Sequence, residues 1–348
     1  MAPVVKVLDE ASVPFHFVHS GQHFEYNMSM RFIKELHLPI PEHLHSAISS
    51  DMPATQTARI MIETERLIRR LRPTLVLIQG DTNTMLGAAL ASFKQKVAAG
   101  HIEAGLRSYD WRMQEEHNRR MVDHASKLLF APTRTSKRNL LRENVPGRIW
   151  VTGNTIMDTV TEMMPIAEER SNVLNEIHSD EYVLATIHRA ENVENKEALS
   201  NITKALVECS YPIVIPMHPR TENRLRKFGL YRYLANAKSI DILPPVGYLD
   251  FLLLMKNCRV IVTDSGGLQE EATAPQIRKP VVVARESTER PEAVEAGFAT
   301  VVGTKKKRIV KGIELMIGKR RLPSKSPYGD GKSAHRILRI VQEQLEKI

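Results

Sequence analysis

Three acidic residues in the first half of the chain are placed where carboxylates can transfer protons. Asp81 follows the apolar run 75–79, and Glu103 lies in a small-residue turn after the next predicted strand. Glu115 begins an acidic pair at a predicted helix start. Each also has an ordinary structural explanation. Asp81 could be a helix N-cap, Glu103 could form an ion pair with Arg107, and Glu115 could lie on a solvated helix face. Because the carboxyl ends of parallel strands meet at one edge of a sheet, we expect the three carboxylates to converge, and acids in different environments suit proton abstraction and return.

The second half of the chain carries cationic side chains at predicted strand ends. His188-Arg189 follows one strand, and His218-Pro219-Arg220 follows another. A lone histidine is more often structural, but two such pairs of histidine and arginine indicate an anion-binding site. A histidine can also act as a general acid at neutral pH.

A glycine turn with acidic residues behind it predicts a nucleotide site. The predicted strand 259–263 leads into this turn, which is followed by a helix. The turn consists of Ser265, Gly266 and Gly267. Backbone N–H groups at such a helix start suit a phosphate, and a carboxylate one turn later, Glu270 or Glu271, suits ribose hydroxyls. Arg290 either neutralises a diphosphate or forms an ion pair within its own loop.

These residues are positioned by strands that alternate with helical patterns. Short apolar runs predict strands at 15–19, 75–79, 127–131, 148–152, 182–187, 212–217, 239–243, 259–263 and 280–284. Several are apolar on both faces, which is typical of strands covered by helices on both sides. The alternation predicts an α/β fold of two doubly wound, Rossmann-like domains with an interdomain cleft. We place the first domain at 1–165, the second at 166–332, and a terminal helix that packs back on the first domain at 333–348.

The composition excludes several classes of protein. Of 348 residues, 42% are hydrophobic and 26% charged, which is ordinary for a globular chain, and no apolar run approaches the roughly 20 residues of a membrane span. The two cysteines, Cys209 and Cys258, cannot form a disulfide framework or a cysteine zinc site. Because the N-terminal residues also lack a signal-peptide pattern, we expect a cytoplasmic protein. The net charge of +9 favours an anionic partner, but an aromatic content of only 5% argues against nucleic acid.

Taken in order, the polar segments resemble those of one enzyme family. The set comprises 80–84, 101–107, 115–119, 153–155, His188-Arg189, His218-Pro219, 264–271 and 288–292. It closely resembles the non-hydrolysing UDP-N-acetylglucosamine 2-epimerases over nearly the whole chain. The resemblance implies a glycosyltransferase-B-like fold, a UDP-sugar bound between the domains, and a homodimer. It also implies interconversion of UDP-N-acetylglucosamine and UDP-N-acetylmannosamine without metal or cofactor, by elimination of UDP to a bound 2-acetamidoglucal and re-addition.

The resemblance assigns roles residue by residue. Asp81, Glu103 and Glu115 carry the acid/base steps, with no assignment of which face of the sugar each serves. His188 assists at the diphosphate. Phosphate and ribose contacts come from Ser265, Gly266, Gly267, Arg290 and Glu271, with further contacts from His218 and Arg220.

The chain departs from the family pattern in a few places. Family members begin with a strand and a Gly-Thr-Arg-Pro-Glu turn before the Ala-Pro seen here as Ala2-Pro3, so we expect the first domain to lack its first strand. Gln114 replaces the family's proline before the acidic pair. Gln22-His23 matches part of a regulatory second UDP-sugar site of bacterial members, and regulation stays open. The alternatives to an active epimerase are a catalytically impaired nucleotide-sugar-binding protein and a glycosyltransferase of the same fold.

Overall fold

The computed structural model describes residues 1–20, 33, 38–43, 52–319 and 321–346, so Gln22-His23 lies outside the described residues. The chain forms two compact units, one of Met1–Thr159 with Gly329–Ile348 and the other of Val160–Tyr328. Within the described ranges, no helix is both long and apolar enough to cross a membrane.

Helices and strands alternate along most of the chain. The helices are α1 (Ala2–Glu10), α2 (Pro53–Leu71), α3 (Asn83–Lys94), α4 (Gln114–Ala125), α5 (Arg134–Arg142), α6 (Thr155–Arg170), α7 (Ala190–Val193), α8 (Lys196–Val207), α9 (Pro219–Lys227), α10 (Tyr231–Ala235), α11 (Tyr248–Asn257), α12 (Gly266–Glu271), α13 (Pro291–Glu295), α14 (Lys306–Ile317) and α15 (Ser333–Leu345). The strands are β1 (Val18–His19), β2 (Glu42–His43), β3 (Leu75–Gln79), β4 (Ala98–Ile102), β5 (Leu128–Ala131), β6 (Arg148–Val151), β7 (Val183–Thr186), β8 (Ile213–Pro216), β9 (Ile240–Leu243), β10 (Val260–Thr263), β11 (Val281–Val283) and β12 (Ala299–Val301). All the predicted strands are present, although the first is shorter than predicted. β4 was predicted only as a strand before the turn of Glu103, without bounds, and β2 and β12 escaped prediction.

The second unit is built on one sheet of six parallel strands in the order β12-β11-β10-β7-β8-β9. The chain forms β7 to β9 in one direction and then returns to the other side of β7 to form β10 to β12. The winding therefore reverses between β7 and β10, and open sheets bind ligands beyond the carboxyl ends of the strands at such a point. β7, β8 and β10 are buried along their whole length, as strands with helices on both faces must be.

The first unit holds a parallel sheet of four strands, β3-β4-β5-β6, and a separate parallel pair of β1 and β2. The terminal helix α15 packs on α1 through the aliphatic side chains Val4, Leu8, Ile337 and Val341. Burial stabilises each such side chain by roughly 1.5–3 kcal/mol. The carboxylate of Asp158 fixes the start of α15, because it accepts the backbone N–H groups of Ser333 (3.1 Å) and Ala334 (2.8 Å). With parallel sheets and alternating helices in both units, the predicted α/β fold class is confirmed.

Candidate active site

In the first unit, two of the predicted acid/base residues follow neighbouring strands. Gln79 at the end of β3 is in register with Ile102 at the end of β4, and Gly80 N–H donates to the carbonyl of Ile102 at 3.2 Å. Glu103 follows β4 directly, and Asp81 comes two residues after β3. The parallel register therefore puts both carboxylates at the same edge of the sheet, as predicted from the strand pattern.

Asp81 is held by α4. The Arg119 guanidinium binds its Oδ2 through Nε at 2.9 Å and Nη2 at 2.8 Å, and Asn118 Nδ2 donates to its carbonyl at 2.9 Å. The Arg119 side chain is only 3% exposed, whereas that of Asp81 is 29% exposed. The structural alternative for Asp81 was wrong, because Thr82 is the N-cap of α3. The Asp81 carboxylate is thus paired with a buried cation, while part of its own side chain stays exposed.

Glu103 accepts a hydrogen bond from a neutral amide, interacts electrostatically with the Met1 amino group, and has an uncommon backbone. Gln79 Nε2 donates to Glu103 Oε1 at 2.8 Å and lies 3.2 Å from Thr155 Oγ1. The φ angle of Glu103 is +73°, in the left-handed region that non-glycine residues occupy at a cost of about 1–3 kcal/mol, often at functional sites. Arg107 pairs with Asp123 and Glu143, so the alternative of an ion pair with Glu103 was wrong. Sequence reasoning missed Gln79, although a polar residue ending a buried strand was a usable signal.

The two acidic residues at the start of α4 have different surroundings. Glu116 is buried and accepts Ser108 N–H at 2.8 Å and the Arg119 guanidinium at 2.9 Å. Burial opposes its ionisation, but these donors outweigh burial and lower the pKa of Glu116. Glu115 is half-buried and lies four residues before Arg119, so the two share one face of α4. Glu116 is therefore committed to these structural contacts, and Glu115 stays the member of the pair that is predicted to take part in chemistry.

In the second unit, Asp264 organises the turn that carries His188. Asp264 directly follows β10, and its carboxylate accepts the backbone N–H groups of His188 (3.1 Å) and Arg189 (3.0 Å). Asn192 Nδ2 donates to the same carboxylate at 2.9 Å. Because His188 comes shortly after β7, this clamp lies at the point where the winding of the sheet reverses. The structure therefore fixes the predicted histidine where ligands of such sheets bind.

The two histidines predicted at strand ends are brought together. The rings of His188 and His218 stack with centroids 5.6 Å apart. His218 caps α9, because its Nδ1 accepts the Arg220 N–H at 3.1 Å. Burial lowers the pKa of His188; Asp264 opposes this, and nearby cationic groups add to it. The Arg220 side chain itself pairs with Glu194 at 3.2 Å on the surface. A neutral His188 imidazole can therefore donate one hydrogen bond and accept another.

The glycine turn begins α12, with Ser265 as its N-cap residue. A Cβ on Gly266 would overlap Glu289 Oε1, so a larger residue there would require this buried side chain to move. A Cβ on Gly267 would meet no atom of the described residues within 4 Å, so this glycine borders open space. The two glycines thus serve different purposes: one allows close packing and the other leaves room above the turn.

Behind this turn, the two acids that the sequence left open have different surroundings. Arg290 is buried, and its Nε forms an ion pair with Glu270 Oε1 at 2.7 Å. Glu271 is 6% exposed and accepts the Tyr248 hydroxyl on Oε1 at 3.2 Å, while its Oε2 has no hydrogen-bond partner among the described residues. Burial raises the pKa of Glu271 to about 7. Glu271 therefore has an oxygen available for a ligand hydroxyl, and Glu270 is committed to Arg290.

A sequence model of the UDP-N-acetylglucosamine 2-epimerase family matches residues 6–342. A UDP-N-acetylglucosamine 2-epimerase of Methanocaldococcus jannaschii is 43% identical over 350 residues, which are 98% of this chain and 94% of that protein. The crystal structure of the M. jannaschii UDP-GlcNAc 2-epimerase in complex with UDP-GlcNAc and UDP is similar, with a TM-score of 0.91 and 43% identity over 98% of this chain and 95% of that one. A UDP-2,3-diacetamido-2,3-dideoxy-D-glucuronate 2-epimerase of Pseudomonas aeruginosa is 35% identical over 95% of this chain and 92% of its own length. On the strength of these matches, the chain belongs to the UDP-N-acetylglucosamine 2-epimerase family.

Proposed function

We propose that the chain interconverts UDP-N-acetylglucosamine and UDP-N-acetylmannosamine by eliminating and re-adding UDP. The observation that carries the proposal is the pair of carboxylates after neighbouring strands, Asp81 held by a guanidinium and Glu103 by a neutral amide. Inversion at C2 requires a proton to leave one face of the sugar and return to the other, so it needs acid/base groups in different surroundings. Glu115 of α4 completes the set.

The chemistry has two half-reactions. In the elimination, a carboxylate takes the C2 proton, the C2–H electron pair becomes the C1=C2 double bond, and the C1–O electrons leave with the diphosphate. In the re-addition, a diphosphate oxygen bonds to C1 of the bound 2-acetamidoglucal, and the C1=C2 electron pair takes a proton at C2, on the opposite face, from a second carboxyl group in its protonated form. Because the C2 proton is only weakly acidic, the departing diphosphate needs positioned positive charge and hydrogen-bond donors.

In this proposal the second unit binds UDP. The phosphates contact the turn formed by Ser265, Gly266 and Gly267, with positive charge from Arg290 and Arg220. His218, whose Nδ1 accepts the Arg220 N–H, adds a neutral contact. Glu271 accepts ribose hydroxyls through its Oε2, which has no partner among the residues described. His188, fixed by Asp264, donates to the diphosphate as the C1–O bond breaks. No group of three or more potential metal-ligating side chains was found in the described part of the chain, and no step of the proposal uses a metal or cofactor.

Incorporation of solvent deuterium at C2 tests the reaction. Incubation of the full chain with UDP-N-acetylglucosamine in D2O should yield UDP-N-acetylmannosamine, and both sugars should carry deuterium at C2. A glycosyltransferase transfers the sugar without C2 exchange, and a binding-only protein gives UDP binding without product. Either of those results with active, folded protein would rule out the epimerase.

The choice of sugar can be tested in the same assay. We propose UDP-N-acetylglucosamine because the relative named for it is 43% identical, against 35% for the relative named for a diacetamido-glucuronate. The deuterium assay should therefore give at least tenfold higher kcat/KM with UDP-N-acetylglucosamine. A preference for the diacetamido-glucuronate nucleotide would retain the mechanism and overturn this substrate assignment.

We further propose a homodimer in the cytoplasm. The homodimer follows from family resemblance, and the cytoplasm is supported by two cysteines that are both unpaired and buried. Analytical ultracentrifugation at micromolar concentration should give a single species of twice the 39.4 kDa chain mass. A monomer that is fully active in the deuterium assay would remove the dimer from the proposal.

The buried Glu271 carboxyl should make folding stability depend on pH. Its pKa is raised from 4.5 to about 7, so the folded chain holds this proton when the unfolded chain has lost it. This proton binding raises the free energy of unfolding by an amount on the order of 3 kcal/mol. The gain is complete below pH 4.5 and is lost as the pH rises to about 7. Glu271→Gln should remove this fall in the free energy of unfolding, as measured by urea denaturation between pH 4.5 and 7.5. Glu208→Gln, on a surface ion pair of the same unit, is the control and should keep the fall; equal pH profiles for both variants would contradict the prediction.

A further inference from the structure

A buried histidine that no step of the proposed reaction uses contacts the residue before Asp81. His101 is in β4, and its side chain is 1% exposed. Its Nδ1 lies 2.6 Å from Asp123 Oδ1, and its Nε2 lies 3.0 Å from the carbonyl of Gly80, the residue before Asp81. One imidazole ring therefore bridges α4 and the turn that carries a proposed acid/base residue.

The hydrogen-bond chemistry defines the protons on this ring. A carbonyl oxygen only accepts, so Nε2 must donate to Gly80. Asp123 accepts Gly105 N–H at 3.2 Å and the Arg107 guanidinium at 2.7 Å on its other oxygen. Burial opposes ionisation of Asp123, but His101 and Arg107 outweigh burial and lower its pKa. Asp123 therefore faces Nδ1, and Gly80 accepts the hydrogen bond of Nε2–H, so the ring is held at both ends.

His101 belongs to a network of charged side chains. A closed chain of contacts runs through Asp81, Arg119, Glu116, Arg120, Glu143, Arg107, Asp123, His101 and Gly80. Most of these side chains are buried, so breaking one contact leaves a buried charge without compensation, which is costly. The network therefore holds the turn of Gly80 and Asp81 through both Arg119 and His101.

We propose that His101 is a positioning residue for Asp81: its ring ties the Gly80 carbonyl to Asp123 and so fixes the strand-to-helix turn that presents the Asp81 carboxylate to the sugar. This inference rests on the proposed epimerisation. Arg119 holds the Asp81 side chain from α4, and His101 holds the carbonyl of the preceding residue from β4. A misplacement of about 1 Å in such a group can cost on the order of 100-fold in rate.

Two substitutions separate the two hydrogen bonds of the ring. In His101→Gln the side-chain Nε2 can replace the ring Nε2 and donate to Gly80, whereas in His101→Asn the Nδ2 can replace the ring Nδ1 and donate only to Asp123. We expect His101→Asn to lower kcat about 100-fold and His101→Gln less than tenfold, with KM and UDP affinity within twofold of wild type for both. A merely structural role predicts equal losses of kcat in the two variants, or none, and either result overturns the inference.

The control is His178→Asn, which changes an exposed histidine of the second unit that pairs with Asp241 at 2.7 Å in the same Nδ1 geometry. It should leave kcat unchanged. If wild type itself shows no C2 exchange, the proposed function fails first, and the protonation of His101 is then tested by ¹⁵N NMR of the ring nitrogens. Nε2 should carry a proton that is hydrogen-bonded to a carbonyl oxygen, in a signal that both His101 variants lack, and an unprotonated Nε2 would overturn the inference even if the variants fail to fold.

Discussion

Glu103→Gln should lower kcat for C2 epimerisation by about 10²–10⁴-fold and leave UDP affinity within twofold of wild type. Glutamine keeps the size of the side chain and can still bond to Gln79, but its amide cannot take or return a proton. The backbone at φ +73° is unchanged in character, because both residues carry a Cβ. The loss should therefore be chemical, and it should appear equally in product formation and in deuterium incorporation at C2.

Asp81→Asn should cause a similar loss of kcat with an added cost in stability. Its carboxylate neutralises Arg119, whose side chain is 3% exposed, so the amide leaves a buried cation short of one partner. We expect the free energy of unfolding to fall by about 1–3 kcal/mol in Asp81→Asn and by much less in Glu103→Gln.

Glu65→Gln is the matched control for both variants. Glu65 pairs with Arg69 on the surface of α2, where an ion pair contributes about 0–1 kcal/mol. Its kcat and stability should match those of wild type. If Glu103→Gln retained more than a tenth of wild-type kcat, the carboxylate at this position would have no part in proton transfer, and the proposed acid/base set would have to be revised.

The backbone framework was readable from the sequence because its signals are local. Runs such as 183–186 and 260–263 are apolar on both faces, and only strands between two helical layers require that pattern. The parallel order then places Asp81 and Glu103 at one sheet edge without further information. The short β12 lacked a pattern strong enough for prediction.

The partners of the site residues were not readable, because they come from packing between distant segments. Nothing near Asp81 in the sequence indicates that Arg119 of α4 forms an ion pair with it. The local alternative, that Asp81 is the N-cap of the next helix, was wrong because Thr82 is the N-cap. The left-handed backbone of Glu103 is likewise fixed by surrounding structure and has no glycine to signal it. Residue types and order were therefore enough to propose the members of the site, whereas their ionic environments required coordinates.

Asp264→Ala should abolish the ordered His188 turn, with a large loss of both stability and UDP affinity. The carboxylate accepts the backbone N–H groups of His188 and Arg189, and truncation leaves these donors without their acceptor. An orphaned buried donor costs about 1–3 kcal/mol, so we expect the free energy of unfolding to fall by about 2–5 kcal/mol. UDP affinity should fall at least tenfold, because His188 lies where the winding of the sheet reverses.

A second aspartate of the same unit is the matched control, because it makes similar hydrogen bonds to a histidine outside the proposed site. Asp241 also accepts a backbone N–H, from His178 at 2.9 Å, and an imidazole Nδ1 at 2.7 Å, but that histidine side chain is 89% exposed. Asp241→Ala should therefore cost less than about 1 kcal/mol and leave UDP affinity unchanged. Urea denaturation and calorimetric titration with UDP measure both quantities for the two variants. A folded Asp264→Ala protein that binds UDP as tightly as Asp241→Ala would show that the clamp on His188 is dispensable for the nucleotide, and the diphosphate would then have to be placed elsewhere in the second unit.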